Sequence, residues 1–209
     1  FRGTTTYLAG DDHQLPFAVV AGLRRTVQRM RDESGTANLL VVFHPMGAGA
    51  FFREPLHQLF GQVVPLTDLN GYSEVGAVED ALCAATDHAA RITIIERYLL
   101  SKLRHPRQDA LVNEAARQIR RAQGNVRINE LADGLHISLD AFEKRFRRST
   151  GASPKQFANI VRMSTVVRQF RTGNLVDIAV GNGFYDQAHF SREFKLFTGK
   201  SPSEFLKTL

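Results

Sequence analysis

Two groups of side chains, 48 positions apart, have the types and spacing that suit contacts with DNA bases. The candidate base-reading residues are Asp140, Glu143, Lys144, Gln187, Ala188, Ser191 and Arg192. In the major groove, lysine and arginine donate to guanine, glutamine pairs with adenine, carboxylates accept from cytosine, and alanine touches the thymine methyl group. Three later basic residues suit phosphate contacts: Arg147, Arg148 and Lys195. These side chains predict recognition of double-stranded DNA.

The two groups lie in two copies of one sequence module. At a constant offset of 48, identical residues recur as Phe142 and Phe190, Phe146 and Phe194, Thr150 and Thr198, Gly151 and Gly199, Ser153 and Ser201, and Pro154 and Pro202. Further upstream, Leu131-Ala132 matches Ile178-Ala179 at an offset of 47, so one residue is gained where a turn would lie. A repeat of this kind indicates one structural unit used twice.

The phenylalanine spacing predicts which side chains of the first copy face outward. Phe142 and Phe146 are four residues apart, so they share one face of a helix and point towards the core. At about 100° per residue, Asp140, Lys144 and Arg148 then point most directly outward. Polar residues on the outward face of such a helix reach base edges.

In the second copy, the same geometry turns Ala188 and Arg192 outward. It places Lys195 close to them and Ser191 at the border of the outward face. The geometry does not favour Gln187. This residue remains a candidate base reader because a first-turn side chain can reach past the end of the helix.

Each copy has the pattern of a helix-turn-helix motif. The predicted helices cover residues 128–135, 138–149, 175–180 and 186–197. Ala132 and Ala179 are small residues at the points where paired helices cross. Gly151 and Gly199 end the second helix of each motif. A long helix over residues 154–170 joins the copies and would hold the recognition helices apart, at about 34 Å if they enter successive major grooves.

A signature spread over both copies identifies the C-terminal half. Its residues are Leu131-Ala132, Ser138, Phe142, Arg145-Phe146, Thr150-Gly151, Ser153-Pro154, Arg162-Met163, Ile178-Ala179, Gly183-Phe184, His189-Phe190, Arg192, Phe194-Lys195, Gly199 and Ser201-Pro202. With them, residues 106–209 resemble the DNA-binding domain of the AraC/XylS family of bacterial transcription regulators. The sequence departs from the family at Val166 or Val167, where alanine is common, and at the acidic Asp140. Residues 1–105 more weakly resemble the sensor or dimerisation domains of such regulators.

Short apolar runs in the N-terminal half predict β-strands. They cover residues 4–9, 17–22 and 37–43, and the last run is unbroken enough to predict a buried strand. Three strands do not close a barrel, so we expect a partial β-barrel-like domain that is incomplete at its N-terminus, with further strands before Phe1. The basic segment 23–31 is interpreted as a solvated strand edge or turn.

Helical spacing of apolar residues predicts two helices over residues 75–85 and 89–103. The second helix carries an apolar stripe formed by Ile92, Ile95, Leu99 and Leu103. This stripe suits either a core contact or dimerisation. The expected fold class is therefore α+β, with strands and helices followed by an all-α domain in which a linker helix joins two helix-turn-helix motifs.

The net charge of +6 is concentrated in the C-terminal half. Residues 1–105 carry 10 basic and 11 acidic residues, whereas residues 106–209 carry 17 and 10. A basic domain beside a nearly neutral one is typical of polyanion binding. The lone Cys83 excludes an internal disulfide and is expected to be a small buried residue. No metal or cofactor is expected, and no apolar run approaches the roughly 20 residues of a membrane helix.

The sequence thus predicts a DNA-binding transcription regulator in the bacterial cytoplasm, associated with the nucleoid. Beyond double-stranded DNA, the resemblance implies three candidate partners. They are RNA polymerase, which an activator would contact, a small-molecule effector, and a second copy of the chain. Two other hypotheses stay open at this point. One is an enzyme, either a DNA-repair methyl acceptor or a small barrel enzyme, fused to a DNA-binding domain. The other is a structural adaptor without a ligand.

Overall fold

The chain folds into two units. The computed structural model describes residues 4–8, 13–44, 46–104, 109–170, 181–184 and 186–208. One unit comprises Phe1–Gly22 and Gln28–Arg107, and the other comprises Leu23–Val27 and Gln108–Leu209. The described strands lie in the first unit and the second unit is helical, which agrees with the α+β class predicted from the sequence.

The strands of the first unit are short and antiparallel. They are β1 (Thr5–Tyr7), β2 (His13–Gln14), β3 (Val19–Ala21), β4 (Met30–Asp32) and β5 (Val63–Pro65). Strand β1 lies between β2 and β4, with Thr6 opposite both Gln14 and Arg31, and β3 pairs with β5. The predicted strands near residues 4–9 and 17–22 are confirmed. Among the described residues, the strands form two small sheets that do not close a barrel.

The prediction of a buried strand over residues 37–43 is wrong. Residues 38–44 adopt no regular structure, and Leu40 and Val42 are 85% and 82% exposed. An apolar run becomes a buried strand only when a neighbouring strand pairs with its backbone and another layer covers its face. No strand of the described sheets pairs with residues 38–44.

An aromatic cluster forms the core of the first unit. Its buried members are Phe52, Leu56, Leu59, Leu69 and Tyr72. The Tyr72 hydroxyl donates a hydrogen bond of 2.9 Å to the carbonyl oxygen of Phe51. Burial, followed by the nearby Tyr98 and Glu54, raises the pKa of Tyr72 to about 12. This tyrosine therefore stays neutral and donates its hydrogen bond at physiological pH.

Two helices follow in the first unit, α1 (Val75–Ala84) and α2 (His88–Lys102), as predicted. Helix α2 begins at Asp87, whose carboxylate accepts a hydrogen bond of 2.8 Å from the Ala90 amide. Helix α1 buries only Val75 and Leu82. Cys83 is exposed, so the prediction that it is buried is wrong. It lies about 100° around the helix from Leu82, which turns it away from the buried face.

The second unit contains six described helices: α3 (Ala110–Arg121), α4 (Ile128–Gly134), α5 (Leu139–Thr150), α6 (Pro154–Gln169), α7 (Gln187–Thr198) and α8 (Pro202–Leu206). Five of them have a side-chain N-cap, supplied by Asp109, Ser138, Ser153, Asp186 and Ser201. Each cap accepts a hydrogen bond from an otherwise unpaired backbone amide of the first turn. None of the described helices is long and apolar enough to cross a membrane.

Helices α5 and α7 end in the same way. Gly151 and Gly199 have φ angles of 87° and 78°, in the left-handed region that glycine adopts without a steric penalty. Their amides bond to the carbonyl oxygens of Arg147 and Lys195, four residues earlier. The helices predicted over residues 138–149 and 186–197 are therefore confirmed, and each is 12 residues long.

Helix α6 connects the two modules of the second unit through its buried face. Near its beginning, the Phe157 ring lies 5.4 Å from that of Phe146 in α5. After its end, Phe170 stacks on Phe194 of α7 with centroids 4.5 Å apart. The long linker helix is thus confirmed. The predicted helix 175–180, with Ala179, lies outside the described residues.

Candidate nucleic-acid interface

Helices α4 and α5 form the first helix-turn-helix module. Ala132 is only 1% exposed where the two helices meet, as its small side chain predicts. In the turn, His136 has a φ of 54°, and the Ile137 amide bonds to the Ala132 carbonyl at 3.1 Å. Phe142 and Phe146 are fully buried. The inward face of α5 is therefore the predicted one, and its opposite face is exposed.

The outward face of α5 carries an ion pair. Lys144 donates to Asp140 at 2.9 Å, and both side chains are more than three-quarters exposed. The hydrogen bond and the charge of Asp140 raise the pKa of Lys144. Glu143 is half-buried on the flank of the helix, and Arg147 and Arg148 are exposed near its end. All five candidate residues of this module thus lie on one helix, and two of them neutralise each other.

The outward face of α7 is differently composed. Its N-cap, Asp186, accepts a hydrogen bond of 2.6 Å from the His189 amide. Phe190 and Phe194 are 2% and 0% exposed and fix the inward face. The exposed candidate residues are Gln187, Ala188, Arg192 and Lys195, and Ser191 is half-buried. This face therefore presents polar and basic groups near the N-terminus of the helix, where base edges are read.

One exposed position of α5 was missed from the sequence. Leu139 is 41% exposed in the first turn. It lies 48 positions before Gln187, so the repeat itself was the signal that could have identified it. An apolar side chain at this position suits a thymine methyl group rather than a hydrogen bond.

Two flank residues were also missed, and both bond to neighbouring elements. The Arg145 guanidinium donates to both carboxylate oxygens of Asp109, at 2.9 and 2.8 Å. Glu193 accepts a hydrogen bond of 2.6 Å from the side-chain amide of Asn159 in α6. The partners are 36 and 34 residues away in sequence, so helical periodicity within α5 or α7 could not reveal them. The only available signal was the offset of 48 between Arg145 and Glu193.

The short segment Leu23–Val27 also belongs to the second unit. Arg25 approaches Glu193 with N and O atoms 3.4 Å apart. The Val27 amide donates to the Leu196 carbonyl of α7 at 3.2 Å. The segment bends at Arg25 and Thr26 and leaves Val27 42% exposed, in line with the predicted solvated turn, but Arg25 and Val27 also contact α7, which the sequence did not predict.

The apolar stripe of α2 is only partly covered. Ile92 and Leu103 are 53% and 38% exposed, whereas Ile95 and Leu99 are half-buried. A surface of this kind remains a candidate dimer contact. The described residues contain no group of histidine, cysteine and acidic side chains that could hold a metal ion.

A family model described as a helix-turn-helix domain matches residues 131–208. The Msm operon regulatory protein of Streptococcus mutans is 33% identical over 150 residues, which cover 69% of this chain and 51% of that protein. The arabinose operon regulatory protein of Escherichia coli is 32% identical over 172 residues, covering 74% of this chain and 54% of that protein. The chain thus spans about half the length of these curated relatives.

A solved structure supports the same fold. A crystal structure of an apo variant of ToxT from Vibrio cholerae superposes with a TM-score of 0.50 and 15% identity, covering 100% of this chain and 86% of that one. At this identity the similarity concerns the fold alone. With the matched helix-turn-helix domain and the two regulatory relatives, the repeated signature shows that this chain belongs to the AraC/XylS family of bacterial transcription regulators.

Proposed function

We propose that this chain is a sequence-specific DNA-binding transcription regulator with α5 and α7 as its recognition helices. The paired architecture carries the proposal. Each helix buries two phenylalanines, presents an outward polar face and packs on the common helix α6. The excess of 17 basic over 10 acidic residues in 106–209 supports attraction to a polyanion.

The proposed roles follow from side-chain chemistry. Arg192 and Lys144 donate to guanine, and Gln187 pairs with adenine. Asp140 or Glu143 accepts from cytosine. Ala188 touches a thymine methyl group, and Ser191 donates or accepts at the border of the face. The residues proposed to contact phosphates lie further along the helices and are Arg147, Arg148 and Lys195.

Selection of bound sequences from a random DNA pool tests this proposal. We expect one enriched site, whose binding weakens steeply with salt, by about 10³-fold or more between 50 and 200 mM if six or more phosphates are contacted. Arg192→Ala should weaken the selected site more than a mismatched one. Arg53→Ala removes an exposed charge from the first unit and serves as the matched control. Binding that ignores salt or sequence would contradict the proposal.

We further propose that the first unit senses a small molecule or mediates dimerisation in the bacterial cytoplasm, and that the regulator acts on RNA polymerase. The exposed part of the α2 stripe supports dimerisation. Ile92→Glu should shift the sedimentation coefficient towards that of a monomer, whereas Glu96→Lys on the same helix should not. A thermal shift with a metabolite would support sensing, and its absence across a metabolite library would favour a structural adaptor.

An enzymatic function is not part of the proposal. A methyl-accepting cysteine needs a nearby basic group that favours the thiolate. Leu82 and Ala84 flank Cys83 in the sequence, and the Arg91 guanidinium donates to the carbonyl oxygens of Leu82 and Ala85, so an experiment on Cys83 itself decides this alternative. Because Cys83 is exposed, the alternative can be tested directly. We expect no methyl transfer from alkylated DNA to the unmutated protein, and unchanged DNA binding by Cys83→Ser. Transfer that Cys83→Ser abolishes would establish the enzyme instead.

A further inference from the structure

The residue that follows the guanine reader has the same location in both modules. Arg145 follows Lys144, Glu193 follows Arg192, and the two pairs are 48 positions apart. Each residue lies about 80° around its helix from the buried phenylalanine pair and therefore occupies the flank. Arg145 and Glu193 lie on the flank opposite to the candidate readers Glu143 and Ser191, and their observed partners are other protein residues. Each is well placed to bond sideways to another element of the protein.

In the first module, this sideways bond is bidentate. The Nε and Nη2 atoms of Arg145 donate to the two carboxylate oxygens of Asp109. Asp109 is also the N-cap of α3 and accepts a hydrogen bond of 3.2 Å from the Val112 amide. A planar guanidinium bound to a carboxylate through two parallel hydrogen bonds fixes direction as well as distance. The pair therefore connects the flank of α5 to the beginning of α3.

In the second module, an acceptor replaces the donor. Glu193 receives the Asn159 side-chain amide of α6 at 2.6 Å and lies 3.4 Å from the Arg25 guanidinium. Its side chain is only 21% exposed. Burial opposes ionisation of Glu193, but the hydrogen bond from Asn159 and the charge of Arg25 outweigh burial, and the pKa of Glu193 is lowered. The carboxylate is thus charged and directed into the protein, not towards a partner on the outward face.

Base reading depends on the rotation of a recognition helix about its axis, called roll here. Apolar packing of the phenylalanines is non-directional and tolerates small changes of roll. On a helix of roughly 5–6 Å radius, a roll of about 20° displaces a side-chain end by about 2 Å. This displacement exceeds the roughly 0.5 Å range of a good hydrogen bond. A directional bond on the flank restrains this motion.

We propose that Arg145 and Glu193 are positioning residues that fix the roll of α5 and α7, so that each determines the base preference of its own half-site. The proposal rests on the proposed DNA-binding function. It differs from that function in assigning sequence preference to two residues that touch no base. Since Arg145 and Glu193 have opposite charges and different partners, each should affect the base preference of its own module only.

Position-resolved selection from a random DNA pool tests the proposal with the whole chain. Lys144→Ala and Arg192→Ala first identify the base positions that each helix reads. At those positions, we expect a discrimination of about 5-fold to 100-fold in the unmutated protein. Arg145→Ala should reduce it to about threefold or less in the α5 half-site alone, and Glu193→Ala should do so in the α7 half-site alone.

Conservative variants separate positioning from general stabilisation. Glu193→Gln retains an oxygen that accepts from Asn159, so it should keep the preference of the α7 half-site. Arg145→Lys loses the bidentate geometry, and Asp109→Asn keeps an N-cap for α3 but loses the carboxylate. Both should flatten the α5 half-site. These three variants decide the question if an alanine variant does not fold.

The outcomes distinguish this proposal from the proposed function. If the unmutated chain selects no sequence, the DNA-reading function itself fails. If it selects a site and the Arg145 and Glu193 variants keep the same preference in both halves, the positioning proposal is overturned. A uniform loss of affinity for all sequences, with unchanged preference, also overturns it, because that result indicates stabilisation without control of roll.

Discussion

The two helix-turn-helix modules have the same buried phenylalanine pairs, but their outward faces carry different charges. In α5, Lys144 is paired with Asp140. At the equivalent positions of α7 stand Arg192 and Ala188, and within the described part of the chain Arg192 forms no salt bridge. The repeat thus keeps the residues that build each helix and varies those that are proposed to reach the DNA. Under the proposed function, this difference predicts that α7 makes the stronger base contact.

Electrostatics explains why the difference matters. The Asp140–Lys144 pair is exposed, so it contributes little to stability and does not prevent Lys144 from binding elsewhere. At the proposed interface, however, Asp140 would bring a negative charge close to DNA phosphates, and this repulsion would reduce the gain from the nearby basic residues. Helix α7 has no acidic residue on its outward face, because Glu193 is turned to the flank.

The largest expected effect tests whether the buried phenylalanines stabilise the two modules equally. Phe146 and Phe194 are both 0% exposed and contact aromatic rings on α6 or just after it. Replacing either with alanine should lower the free energy of unfolding by about 3–5 kcal/mol, because each substitution leaves a large cavity. Urea unfolding measures this, with Leu139→Ala as an exposed apolar control. A loss of less than about 1 kcal/mol in only one module would show that the phenylalanine packing does not stabilise the two modules equally.

The next effect tests which helix dominates recognition. Arg192→Ala should cost about 1–3 kcal/mol in binding of the selected site, as expected for a bidentate contact to guanine. Lys144→Ala should have a smaller effect, since lysine binds through a single ammonium group and Asp140 competes for it. Fluorescence anisotropy with labelled DNA measures both. A larger loss for Lys144→Ala would reverse the assignment of the stronger contact.

Features fixed by local sequence were predictable. Ser138 and Asp186 cap α5 and α7, Gly151 and Gly199 end them, and the paired phenylalanines define their faces. All these signals lie within about four residues of the structure that they specify. The periodicity of 3.6 residues then identifies the outward side chains without knowledge of the rest of the fold.

Features fixed by distant contacts were not predictable in the same way. The Arg25–Glu193 contact joins residues 168 apart, and no local pattern specifies such a pair. The run around Leu40 has strand composition, but composition does not provide a partner strand. Cys83 stands among alanines and a leucine, so its neighbours do not indicate whether it is buried. Helix α1 packs through the face that carries Leu82, and this packing leaves Cys83 facing solvent.

A smaller effect is expected from a substitution that makes the outward charge of α5 more like that of α7. Asp140→Asn removes the acidic group from the outward face of α5 and should strengthen DNA binding roughly twofold to fivefold at low salt. Asp80→Asn in α1 also removes one exposed negative charge and serves as the control. Anisotropy titrations at several salt concentrations measure both variants. Weaker binding by Asp140→Asn alone would instead identify Asp140 as a direct reader of cytosine.

The smallest expected effect compares how the two flank contacts, Arg145–Asp109 and Asn159–Glu193, contribute to the stability of the fold as the pH falls. Burial opposes ionisation of Asp109, but the hydrogen bonds and charge of Arg145 outweigh it, and the pKa of Asp109 is lowered. The pKa of Glu193 is lowered in a similar way by Asn159 and Arg25. A carboxyl group whose pKa is lower in the folded chain stabilises the fold above its unfolded pKa. This contribution is lost as the pH falls through the folded value.

The ordinary pKa values are 4.5 for Glu193 and 3.8 for Asp109, so the contribution of Glu193 should begin to fall at the higher pH. Melting temperatures measured from pH 7 to pH 3 should therefore separate the variants by roughly 1–4 °C. Glu193→Gln should flatten the profile from about pH 4.5 downward, and Asp109→Asn should flatten it only at lower pH. Profiles that coincide with that of the unmutated chain would mean that neither carboxylate is stabilised by its partner.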